Sequence, residues 1–143
     1  MDRRGSIGIG VAVAVGLIFV IYITFDAKYD DARLALLQSS YFYDNNRLVV
    51  NIILTDSNGD YTKANGDAEI TILKDGHMVY SNEYNFVKDD FVTWRNAISG
   101  EKITAYRIDI KQYFSSGSHD VFVDLNTRSG HWEDLHDSFY SLE

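Results

Sequence analysis

The residues best suited by type to chemistry are carboxylates and imidazoles. Asp56-Ser57-Asn58-Gly59-Asp60 runs on to Asp67. Oxygen donors at relative positions 1, 3, 5 and 12 echo the ligand spacing of a helix–loop–helix calcium site. The glycine stands at position 4, and Tyr61 fills position 6, where the sharp turn of such a loop demands glycine. The flanks also read as strands. The expectation is therefore an acidic inter-strand loop, and Asp56, Asn58, Asp60 and Asp67 remain weak calcium candidates. The four histidines are His77, His119, His131 and His136, densest in His131-Trp132-Glu133-Asp134-Leu135-His136-Asp137. Imidazole beside carboxylate suits zinc or copper. A separation of five matches neither one helix face nor one strand face, so solvated loop residues are expected. The chain has no cysteine, which excludes disulfides, thiolate metal sites and blue copper. No G-x-S-x-G motif and no phosphate loop occurs. Neither an enzyme nor a cofactor is expected.

The elements that must position these groups are strands, because the apolar period is two. In Arg47–Asp56, Leu48, Val50, Ile52 and Leu54 share one face. In Asp67–Lys74 it is Ala68, Ile70 and Ile72. Lys74-Asp75-Gly76 reads as a hairpin turn. His77–Phe86 returns with Met78, Tyr80, Tyr84 and Phe86 facing in. Ile103–Phe114 offers Tyr106, Ile108 and Ile110, and His119–Leu125 offers Val121, Val123 and Leu125. Leu34–Tyr43 reads as a first strand or as the extension of a preceding helix. Asn58-Gly59-Asp60, Asn65-Gly66-Asp67, Ser99-Gly100 and Ser129-Gly130 supply turns. Six or seven short strands so spaced predict a mostly β fold: an antiparallel β-sandwich, immunoglobulin-like or fibronectin-like in architecture. Without disulfides the domain rests on its core alone, which about 100 residues can build.

Ahead of the β pattern lie 19 uncharged residues, Ile7 to Phe25. As a helix they span roughly 28 Å, the thickness of a bilayer's hydrocarbon. This reads as one N-terminal transmembrane helix. Arg3 and Arg4 before it place the tail in the cytoplasm, and Tyr22, Phe25 and Tyr29 suit an interfacial belt. A cleaved secretory signal is the rival reading, but the run is long for one and its exit lacks a small-x-small site. The expected layout is a cytoplasmic tail at 1–6, a transmembrane helix at 7–25, a stalk or helix extension at 26–37 and an extracytoplasmic sandwich at 38–143. Gly8, Ala12 and Gly16 share one helix face, so they are the expected packing seam against another membrane helix. Beyond Phe25 stand 20 acidic and 11 basic residues. A net charge near −9 excludes nucleic acid as a partner and disfavours docking on anionic headgroups. Expected partners are the lipid bilayer and other membrane subunits. Trp132, Phe139 and Tyr140 are the candidate contact residues, because aromatic side chains dominate binding hot spots. The reading favoured over a contact surface is that this tail is the last strand of the sandwich.

Two stretches carry a family resemblance. One runs from Lys63-Ala64-Asn65-Gly66-Asp67-Ala68-Glu69 through Asp75-Gly76 and Val79-Tyr80 to Phe86-Val87-Lys88-Asp89-Asp90-Phe91. The other is Gly130-His131-Trp132-Glu133-Asp134-Leu135 to Ser138-Phe139-Tyr140-Ser141-Leu142-Glu143. Together they resemble small single-pass, membrane-anchored surface proteins of ammonia-oxidising archaea. The resemblance implies an archaeal cell membrane with the domain outside it, and no agreed activity. In that setting the expected role is an accessory or structural subunit of a larger membrane complex, in its sharpest form ammonia monooxygenase. Arg3-Arg4-Gly5 followed by Ser6-Ile7-Gly8-Ile9-Gly10 also resembles the processed segment of archaeal pilins and archaellins, which implies a filament component. The segment lacks an acidic residue early in the helix. A calcium- or metal-dependent surface binding module is the third reading.

Overall fold

A computed structural model describes residues 31–142. Nine strands are present among them: β1 (Leu34–Phe42), β2 (Arg47–Thr55), β3 (Tyr61–Thr62), β4 (Gly66–Lys74), β5 (His77–Phe86), β6 (Phe91–Arg95), β7 (Lys102–Lys111), β8 (Gly117–Thr127) and β9 (His131–Ser141). A 3₁₀ turn, Lys88–Asp90, precedes β6. The proposed transmembrane helix at 7–25 and its seam of Gly8, Ala12 and Gly16 lie outside the described residues. No helix among the described residues is long and apolar enough to cross a membrane.

Local hairpins build the topology. β1–β2, β4–β5, β6–β7 and β8–β9 are antiparallel neighbours in sequence and in space. β3 folds back on β2 in the same sheet, and the remaining links, β3–β4, β5–β6 and β7–β8, cross between sheets. The first sheet is ordered β1-β2-β7-β6, with β3 beside β2, and the second β5-β4-β8-β9. Their inner faces share one apolar core, so the fold is an antiparallel β-sandwich. Leu48, Val50, Ile52 and Leu54 of β2 meet Ala68, Ile70 and Ile72 of β4 and Val121, Val123 and Leu125 of β8 there, all fully buried. Phe86 of the second sheet stacks on Tyr106 of the first, with ring centroids 4.6 Å apart.

Turn chemistry is local. Asp75 and Gly76 take φ of +53° and +79°, the left-handed pair a type I′ hairpin needs. Gly66 corrects the expectation of a turn at 65–67. It opens β4, and a Cβ there would stand 2.1 Å from the Asn126 carbonyl oxygen, so this glycine permits close strand approach.

Three further expectations change. Residues 34–37, assigned to the stalk, belong to β1, because Leu34 through Leu37 pair with Thr55 through Ile52. Met78, expected inside, is 63% exposed. Val79 is an extra residue between the Ile72–Tyr80 and Leu73–Met78 pairs. Such a bulge breaks the period of two and turns Met78 to the other face. Nine strands replace six or seven: the sequence reading lacked the two-residue β3 and the five-residue β6.

One side of the sandwich is closed by polar contact between edge strands. The Asp137 Oδ2 of β9 accepts the Ser39 backbone N–H of β1 at 2.7 Å and its hydroxyl at 3.0 Å. An aromatic cluster fills the core nearby. Phe114 packs edge-on against Tyr41, His119 and Phe139, with centroids 5.2–5.5 Å apart. Its backbone is held too: the N–H donates to the Tyr41 hydroxyl at 3.0 Å, and the carbonyl accepts the buried Ser141 hydroxyl at 2.9 Å.

Candidate functional site

In the acidic loop the first carboxylate is turned onto the loop's own backbone. The Asp56 Oδ1 accepts the backbone N–H groups of Asn58 and Asp60 at 2.9 and 3.0 Å, so it braces its own turn. Asp67 lies away from that loop in β4, paired with Asn85 and Asn126. Among the described residues no group of three carboxylate or imidazole side chains is placed to hold a metal ion. The histidine cluster is likewise divided. His131 contacts Asn126 Oδ1 at 2.6 Å and Glu133 at 3.2 Å. His136 contacts Asp120 at 3.0 Å and leans on the Phe122 ring. Both are on β9 rather than in the loop expected for them.

The three aromatic contact candidates also separate. Phe139 is buried, stacked on the His119 imidazole with centroids 4.7 Å apart and planes 4° off parallel. Trp132, opposite Leu125, packs against the core. Both belong to the last strand, in line with the favoured reading of this tail, and Phe139 is corrected as a contact candidate because it is buried. Only Tyr140, opposite Ser118, is exposed. Burial pushes the His119 imidazole below its ordinary pKa of 6.5, against a smaller upward pull from the Gly117 carbonyl.

The outer face of the first sheet brings together residues the sequence reading did not single out. Direct cross-strand partners share a face. Leu36 pairs with Ile53, Gln38 with Asn51, Ser40 with Val49 and Phe42 with Arg47. β7 adds Arg107 beside Asn51 and Asp109 beside Val49. At one end lies an apolar hollow of about 410 Å³ lined by Leu34, Leu36, Ile53 and Tyr61. Leu34 and Leu36 are 66% and 61% exposed there, while Ile53 on its floor is only 7% exposed. The Tyr61 hydroxyl donates to Glu101 at 3.2 Å, and desolvation together with that carboxylate raises its pKa above 10. Further along, a recess of about 300 Å³ is lined by Arg47, Asn51, Trp94 and Arg107.

The outer face of the second sheet is different. Glu83, Glu69 and Asp124 lie directly opposite one another across β5, β4 and β8. Asp134 joins them through its N–H on the Asp124 Oδ1 at 2.9 Å.

One signal for the first face was present in the sequence. Val49 and Ile53 make β2 apolar at almost every position, and that marks a strand covered on both sides. Trp94 and Arg107 carried no such signal. No protein-family model matches the chain, and no curated protein matches it.

Proposed function

We propose that this chain is a non-enzymatic interaction protein. A single apolar segment, 7–25, holds it in an archaeal cell membrane with an immunoglobulin-like sandwich outside, as an accessory subunit of a larger membrane assembly. The observation that carries the reading is the apolar hollow around Leu34, Leu36 and Ile53, on an outer sheet face that a free-standing module would fill with polar side chains. The strand orders support the architecture. β1-β2-β7-β6 follows A-B-E-D, and β4-β8-β9 follows C-F-G with β5 added beside C. The 19 uncharged residues of the sequence support the anchor. The resemblance across residues 45–143 supports the setting.

The test is site-specific photocrosslinking in native membranes. A photoreactive residue at Leu36 is expected to give an adduct with a membrane-complex subunit, and the same residue at Glu69 none. Equal yields at both positions, or no adduct at Leu36, would discard the reading.

A further inference from the structure

The recess in the middle of the first sheet's outer face gathers two arginines and an amide, with Gln38, Ser40, Phe42, Val49 and Trp94 completing its lining. Arg107 is the fixed point. Its Nε donates to the Asn51 Oδ1 at 3.0 Å, and its guanidinium carbon lies 4.3 Å from the Trp94 ring centroid. One nitrogen bonded and one face stacked leave the planar fork in a single orientation. Among the described residues, no protein group accepts from Nη1 or Nη2 of Arg107, and no carboxylate is paired with it. Arg47 lies alongside. Its Nε is taken by both oxygens of Asp109, at 2.9 and 3.0 Å, and its guanidinium carbon stands 5.7 Å over the Phe42 ring. Its two Nη groups also lack protein acceptors among the described residues. Asn51 is the most telling member. It is 8% exposed, and its Oδ1 faces Arg107. Its NH₂ therefore lines the recess with no protein acceptor among the described residues, and a buried donor in that position calls for a partner.

These donors select the ligand's chemistry. Two guanidinium forks and an amide NH₂ require an anion rich in acceptors. A planar carboxylate matches the flat, bidentate geometry of a held arginine. Asp109 disfavours a doubly charged phosphate or sulfate, because it already offsets one of the two arginines. Phe42, Val49 and Trp94 provide apolar wall for a hydrocarbon body. A volume of about 300 Å³ lies at the small end of ligand sites. The position is also unusual in charge, a cationic recess on a chain whose net charge is −8.

We propose that this recess is a carboxylate-binding site, with Arg107 and Asn51 as its direct contacts, Arg47 as a second cationic contact and Trp94 as the residue that positions Arg107. The carboxylate comes either from a free organic acid or from an acidic residue of a polypeptide. The site stands independently of the membrane-partner reading.

The test uses the full chain in a neutral detergent, with Trp132→Phe so that Trp94 is the only remaining tryptophan. Its emission is followed during titration with cyclohexanecarboxylate and with blocked acetyl-glutamate methylamide. At least one is expected to give a saturable change, and Arg107→Lys, which keeps the charge and loses the fork, to weaken it at least tenfold. Arg47→Gln is expected to weaken it by a smaller factor. Whichever of the two carboxylates binds more tightly identifies the source. The proposal is overturned if neither saturates, or if cyclohexanecarboxamide binds within threefold of the acid. It is equally overturned if sulfate or phosphate saturates the site at the same concentration, or if Arg107→Lys folds normally and binds as before.

Discussion

The two outer faces of this sandwich come from the same strand geometry and carry opposite chemistry. On the first sheet, Leu34, Leu36 and Ile53 form an apolar hollow, and Arg47 and Arg107 lie beyond it. On the second, Glu83, Glu69 and Asp124 stand in one cross-strand row. Neither the exposed Leu34 and Leu36 nor the carboxylate row serves the stability of an isolated domain. Exposed leucines gain nothing in water, and like charges directly opposite in a sheet repel. The inner faces offer no such contrast, because both must be apolar to share one core. What distinguishes the two sheets therefore lies on their outer faces, and the first sheet's is the more varied in chemistry.

The sharpest way to break the comparison is to place the same charge on each face. Ile53→Asp is expected to cost on the order of 3–4 kcal/mol, because the new carboxylate would be nearly covered and unpaired. Thr71→Asp, at an outer position of β4 between Ser81 and Phe122, should cost no more than about 1 kcal/mol. Urea unfolding of the two variants measures this, and similar losses would erase the distinction between the faces.

A second variant acts on the side where the sheets are joined. Asp137→Ala removes the acceptor of two Ser39 hydrogen bonds and leaves an edge N–H unsatisfied. A loss of about 1.5–3 kcal/mol is expected, since a charged acceptor is involved. Hydrogen exchange at Ser39 should rise with it, while exchange in the β4–β5 hairpin stays as it was. A third works in the opposite direction. Glu69→Gln relieves the carboxylate row and should raise stability by about 0.2–1 kcal/mol, with the gain shrinking at high salt. A salt-independent gain would assign the effect to something other than repulsion.

The last is a slope rather than a step. His119 has its pKa lowered by burial. Between that depressed value and 6.5 the unfolded chain binds a proton that the folded chain does not. The stabilising contribution is thus complete above pH 6.5 and is lost as pH falls through the folded value. His119→Leu should flatten that part of the melting-temperature profile, and an unchanged slope would place its origin in other groups.

Much of the inner architecture was legible because burial acts on alternation. Every residue of the Leu48–Leu54, Ala68–Ile72 and Val121–Leu125 inner rows was readable from a period of two, and all are in the core. Met78 was misread because a bulge costs one residue and leaves no mark in composition. Phe139 stood among the contact candidates because an aromatic side chain looks the same in sequence whether it seals a core or binds a partner, and it seals the core. The spacing of Asp56 to Asp67 spans two sheets, because Asp56, Asn58 and Asp60 follow β2 and Asp67 lies in β4.

By itself the sequence determined the β class, most strand limits, the hairpin at Asp75-Gly76 and the inner-facing rows. Each depends on residues within a few positions of one another, where backbone sterics and the alternation of side chains suffice. Only the tertiary structure decided which strands beyond that hairpin are neighbours, and so which side chains share an outer face. Asn51 and Arg107 are 56 residues apart in the chain, and it is the β2–β7 pairing that puts the amide against the guanidinium. Long-range pairing follows from the fit of the whole core, to which no local stretch of residues holds the key.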